Sequence, residues 1–171
     1  MSAAADVLQP TLSNGQSPVK PRINYAKVSG VYDAMEMVDQ YVDNSGLDES
    51  LLHLIRLRAS QINGCAYCLD MHAKDLRALG ETEQRVYSLA AWSHCPYYSD
   101  RERAALAWTE AITLIAEGHA ADAVYEDTRR HFTEKELADL TLAVAQINSW
   151  NRLSIAARLV PGEYQPAIAG R

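Results

Sequence analysis

The chain has 171 residues, of which 48% are apolar and 22% charged, with a formal charge of −6. That length suits one domain with an ordinary core, and the acidic balance argues against a nucleic-acid partner. No apolar run approaches the ~18 residues needed to span a membrane, so no membrane partner is expected.

Residues 1–22 hold Ser, Asn, Gly, Gln and three of the six prolines, and read as a flexible tail or a strap over a neighbouring subunit. Met1–Pro21 has no charged segment followed by an apolar one, so no secretory leader is expected and the predicted compartment is cytoplasmic. Thiols stay reduced there, and three cysteines point to chemistry or metal rather than a disulfide framework.

From residue 23 to 160 helical spacing dominates, and the remainder, 161–171, reads as a C-terminal tail. Val28, Val31, Met35, Val38 and Val42 recur at 3 and 4, giving one apolar stripe that ends at Asn44-Ser45-Gly46. Asp48 can cap a second helix with Leu51, Leu52, Ile55, Ala59 and Ile62 inward. Asn63-Gly64 breaks it. A third helix runs from about Cys65 to Leu79, stopped by Gly80. Thr82 caps a short helix with Val86, Leu89 and Ala90, and Ser93–Tyr98 reads as a loop.

Ser99 and Glu102 form a capping box for a helix that carries Leu106, Ile112, Leu114 and Ile115 and stops at Gly118. A shorter helix covers about Asp122–His131. Thr133 and Glu136 form a second box, opening a long helix to about Leu159 that Pro161-Gly162 closes. No segment shows a convincing period-2 strand. The prediction is all-α, about seven helices. Arg56, Arg58, Arg101 and Arg103 are separated by acids and read as solvated helix faces.

The segment Cys65-Ala66-Tyr67-Cys68-Leu69-Asp70-Met71-His72 carries the chemistry. On a helix, positions i, i+3 and i+7 share a face, which brings two thiols and an imidazole together. A free thiol with pKa near 8.5 is only about 3% thiolate at pH 7. A helix N-terminus lowers that by about one unit, to perhaps a quarter thiolate, and favours Cys65, the thiol nearer the helix start. His72, one turn after Cys68, can supply the rest. Such a set suits thiol redox: a thiolate attacks a peroxide oxygen, the second thiol condenses with the sulfenic acid, and a dithiol donor resets the pair.

A zinc site is the competing use: His53, twelve residues before Cys65, could join Cys65, Cys68 and His72 as a Cys2His2 set. Against it, the segment between His53 and Cys65 reads as apolar helix. Cys95, before Pro96, has no matching partner and reads as a bystander. Trp92, Trp108 and Trp150 read as core or interface. Asn148, Asn151 and Arg152 are polar within an apolar helix and could bond across to the thiol helix.

Leu57–Cys68 with Asp70-Met71-His72, together with Gly80–Arg85 and Asn148–Arg152, resembles the alkylhydroperoxidase D-like proteins of the carboxymuconolactone decarboxylase superfamily, in the branch with a CxxC pair. The likeness covers roughly residues 22–160. It implies an all-helical subunit in a homotrimer or homohexamer, with peroxidase or disulfide-reductase activity, no cofactor and an antioxidant role. Hydroperoxide would be the substrate, and a lipoyl group or thioredoxin-like protein the dithiol reductant. Carried over, Cys68 is peroxidatic, Cys65 resolving and His72 a proton relay. His53 stands where the family's relay has a glutamate. That departure leaves a non-enzymatic redox sensor or adaptor as the main alternative.

Overall fold

The computed structural model describes residues 20–28 and 30–166; the tail expected over 1–22 lies mostly outside them. Among the described residues there is no strand, and no helix is long and apolar enough to cross a membrane. Eight α-helices follow one another: α1 (Val31–Asp43), α2 (Glu49–Asn63), α3 (Ala66–Ala78), α4 (Glu83–Ser88), α5 (Asp100–Thr113), α6 (Ile115–Gly118), α7 (Asp122–Thr128) and α8 (Glu134–Ala157). Short 3-10 turns precede α1 and follow α4, the second taking in the start of the expected 93–98 loop.

The expected caps form. Asp48 accepts from the Leu51 amide, and Thr82 from that of Arg85. Ser99 with Glu102 and Thr133 with Glu136 close reciprocal capping boxes. Gly64 and Gly80 both take positive φ, which lets the chain reverse at each end of α3 without a Cβ clash. The helix expected to run to Gly118 instead breaks at Leu114, which leaves helical geometry, and so yields α5 and α6. Positive φ then falls on His119 and Ala120, not on Gly118.

α2 is the axis of the fold. Ile55 joins Val42, Leu52, Ala105, Leu140 and Val144 in one core cluster. Leu54 and Leu57 join Leu76, Leu89 and Leu106 in a second, and Ala59 joins Cys65, Cys68 and Ile147 in a third. A helix that feeds three clusters is buried around its circumference, with α3, α5 and α8 packed on it. The α1 stripe is only partly used: Val42 is buried and Val38 packs on the core, but Val28 and Val31 are exposed because α1 meets the body mainly through α8.

Of the basic residues read as solvated, Arg56 is buried instead. Its Nη2 pairs with Asp43 at 2.7 Å and its Nε donates to Gln146 at 3.3 Å. Residues 161–166, expected as the start of a tail, lie against α3. Lys74 Nζ reaches the carbonyls of Gly162 and Tyr164, and Asp70 accepts from the Gly162 amide.

Candidate active site

Gly64 turns the chain out of α2, and Cys65 becomes the N-cap of α3, its sulfur accepting from the Cys68 amide at 3.4 Å. A thiol thus holds the capping position usually taken by a serine or aspartate oxygen. The two Sγ atoms are 2.7 Å apart, and Ser154 Oγ of α8 lies 3.7 Å from the Cys68 sulfur. Each cysteine is 1% exposed. Asn63, one residue before the glycine, donates to Asn148 and Asn151 at 2.9 Å each, and Asn151 donates to Ser60 at 3.0 Å. These asparagines bond to the end of α2 and anchor the turn that presents the pair, and Asn151 also reaches the thiol helix by a hydrogen bond to the Cys68 sulfur.

Once one proton has left the pair, the two sulfurs share the other. Hydrogen bonding from the Cys68 thiol lowers Cys65 to about 7, against burial, which opposes ionisation, and with help from the Cys68 amide. The same bond and burial push Cys68 up. Access runs the other way. A cavity of about 320 Å³ is lined by Cys68, Tyr67, Met71, Trp150 and the histidines, but Cys65 is not among its walls. The anion rests on Cys65, while Cys68 faces incoming molecules.

His53 of α2 and His72 of α3 approach with their Nδ1 atoms 3.2 Å apart. Asp75 Oδ2 lies 3.5 Å from the first and 3.6 Å from the second. Tyr164, from the segment after α8, donates to the other oxygen, Oδ1, at 2.7 Å. Burial above all, then the neighbouring His72 ring, lowers His53 to about 4. Burial also lowers His72, so both imidazoles are neutral at pH 7. Asp75 is held low because donors from His72 and Tyr164 outweigh its burial, and the carboxylate is charged. His72 Nε2 is buried without a hydrogen-bond partner.

The structure sets Cys65 against Cys68 and His53 against His72, in two adjoining groups. The metal-competent set among the described residues is His53, His72 and Asp75, and neither cysteine belongs to it, so the Cys2His2 arrangement does not assemble. Sequence reasoning missed Asp75, although its i+3 spacing from His72 put it on the same helix face. It also missed Tyr164 and Ser154, for which no local signal exists. Cys95 is half-buried against the Leu89–Tyr98 cluster and its carbonyl accepts from Arg103. Trp108 donates to Thr141 within the core. Trp150 is a cavity wall and donates to Asp39.

Residues 29–111 match the carboxymuconolactone decarboxylase family model. An uncharacterized protein of Bacillus subtilis, YdfG, is 45% identical over 137 residues, 79% of this chain and 92% of the relative. A crystal structure from Agrobacterium tumefaciens, of a protein of unknown function suggested to be the antioxidant defence protein AhpD, is 43% identical. It superposes with a TM-score of 0.80 over 86% of this chain and 99% of that one.

The chain belongs to the carboxymuconolactone decarboxylase family, among its alkylhydroperoxidase D-like members.

The alkyl hydroperoxide reductase AhpD of Bradyrhizobium diazoefficiens is 32% identical over 80 residues, 47% of this chain and 38% of that protein. The all-α fold expected from the sequence is shared with the Agrobacterium protein.

Proposed function

We propose that this family member is a cofactor-free dithiol peroxidase or disulfide reductase with an antioxidant role. The observation that carries the reading is the pair of touching sulfurs at a helix start, one of them lining a cavity that also holds two neutral imidazoles. The similarity to AhpD proteins supports it.

In the proposed reaction His72 takes the proton of Cys68, and the Cys68 thiolate attacks the distal oxygen of a hydroperoxide. The O–O bond breaks, Cys68 becomes a sulfenic acid, and His72 returns its proton to the departing alkoxide, giving an alcohol. Cys65, already in contact and ionised, attacks the Cys68 sulfur, and the displaced hydroxide leaves as water with a proton from solvent. A dithiol then reduces the Cys65–Cys68 disulfide and becomes a disulfide itself. Two electrons pass from the dithiol to the peroxide.

Asp75 stabilises the transient imidazolium, and His53 completes the relay. The missing glutamate at position 53 is thereby compensated, because a carboxylate reaches the relay from α3. The two sulfurs are almost fully buried, which favours small or slender oxidants and an extended dithiol arm such as a lipoyl group, or a thioredoxin-like donor, as reductant. A cytoplasmic setting and a homotrimer or homohexamer complete the proposal.

The test is thiol counting. About one equivalent of hydrogen peroxide added to reduced protein should remove two thiols, with Cys65 and Cys68 joined in the peptide map. A Cys65→Ser protein should accumulate sulfenic acid on Cys68. No thiol loss within minutes, or full turnover by Cys65→Ser, would sink the assignment.

A further inference from the structure

We propose that His53, His72 and Asp75 form a binding site for a divalent first-row transition cation, with zinc as the natural probe. The geometry is that of three ligands around an absent centre. Atoms each about 2.05 Å from a tetrahedral ion lie about 3.3 Å apart, and cis ligands of an octahedral ion about 2.9 Å apart. The three edges observed here are 3.2, 3.5 and 3.6 Å. An ion at the centre of this triangle needs movements of only a few tenths of an ångström.

One Nδ1 proton can bridge the two rings at 3.2 Å. Asp75 Oδ2 then stands almost equidistant from both nitrogens, at 3.5 and 3.6 Å, a long contact to each. A carboxylate oxygen that stands almost equidistant from two imidazole nitrogens is placed as a ligand would be. Its partner oxygen is fixed by the Tyr164 hydroxyl at 2.7 Å, the kind of outer contact that orients a ligating carboxylate.

The elements hold the set firmly. His72 and Asp75 sit at i and i+3 on one face of α3, and His53 comes from the first turns of α2, packed directly against it. His72 is 4% exposed. All three residues line the cavity that reaches Cys68, which leaves room for a fourth, exchangeable ligand. Two imidazoles and a carboxylate suit zinc, iron(II) or cobalt(II), and not calcium or magnesium, which prefer all-oxygen sets.

One consequence rests on the peroxidase reading. An ion here occupies both Nδ1 lone pairs, so proton relay and metal binding exclude each other. Bound zinc should then slow peroxide consumption.

The deciding experiment uses the full chain with both site thiols removed, Cys65→Ser/Cys68→Ser. This protein cannot be a dithiol peroxidase, so metal binding is judged independently of that activity. After chelator treatment and desalting, zinc titration by calorimetry should show about one equivalent bound. Asp75→Asn and His53→Gln, added singly, should each weaken binding more than tenfold. Circular dichroism reports whether those variants remain folded. Cobalt(II) spectra of the otherwise unchanged protein provide a second readout that needs no ligand variant. Visible d–d bands without sulfur-to-metal charge transfer support the site. Thiolate charge transfer, or loss of zinc binding when the thiols are removed, would reassign the metal to the cysteines and overturn it. Stoichiometry below about a tenth of an equivalent in the thiol-free protein would also overturn it.

Discussion

Removing the Cys68 thiol should cost Cys65 its acidity. The largest influence holding Cys65 at about 7 is the hydrogen bond from Cys68, and burial pulls the other way. In Cys68→Ala, the Cys68 amide and Ser154 remain, opposed by burial, so the Cys65 titration should return to the ordinary 8.5 or above. At pH 7 the thiolate fraction would fall from about half to about 3%, roughly fifteenfold. The rate of alkylation would fall less. A more basic thiolate is a better nucleophile, and with a Brønsted slope near 0.45 a 1.5-unit rise returns about fivefold. The net loss at pH 7 is therefore only about threefold, and the midpoint is the diagnostic quantity. The assay is iodoacetamide labelling of Cys65 between pH 5 and 10 in a Cys95→Ser background, read by peptide mass. A midpoint that stays near 7 in Cys68→Ala would show that the helix start alone sets the acidity, and the shared-proton account would be refuted.

Three further outcomes follow from particular contacts. His72→Ala should lower peroxide-dependent thiol oxidation by about 10²–10⁴-fold. Diamide, which needs no relay, should still form the Cys65–Cys68 disulfide; equal loss with both oxidants would mean the thiols themselves had been displaced. Gly64 has φ of 69° and open space where a Cβ would sit, so Gly64→Ala meets no clash and should cost only about 1 kcal/mol of backbone strain; urea unfolding measures it, and a neutral result would disprove the required left-handed turn. Glu136 is held at about 2 by the Thr133 amide, then by Arg101 and the Thr133 hydroxyl. Its folded pKa lies below the reference 4.5, so its charge contributes stability above about pH 4.5 that is lost as pH falls towards 2. Thr133→Ala should cost about 1 kcal/mol at neutral pH and less at pH 3, measured by chemical denaturation; a cost independent of pH would argue against the reciprocal box.

Helix caps were legible because they are local. Asp48, Ser99 with Glu102, and Thr133 with Glu136 satisfy orphan amides within a few residues of themselves, so their spacing in sequence is their spacing in space. The cysteine pair and His72 were legible for the same reason, all lying within two turns of α3. The α1 stripe was misleading because periodicity states that a face is apolar, not how much of it another helix covers. Arg56 was misjudged because burial of a guanidinium depends on Asp43 and Gln146 arriving from other helices.

By itself the sequence determined the all-α class, most helix boundaries and the thiol–imidazole constellation, since each follows from periodicity, capping or short-range spacing. Only the tertiary structure decided which partners that constellation meets. Packing of α2 on α3 set His53 against His72, and the return of the chain after α8 set Tyr164 against Asp75. It also decided that the anion rests on Cys65 while Cys68 faces the cavity, because that division depends on burial, on hydrogen-bond direction and on walls contributed by α8. The physical reason is range: capping and helical register act over one turn of chain, whereas the protonation of a buried site is set by whatever distant residues fold to within a few ångströms of it.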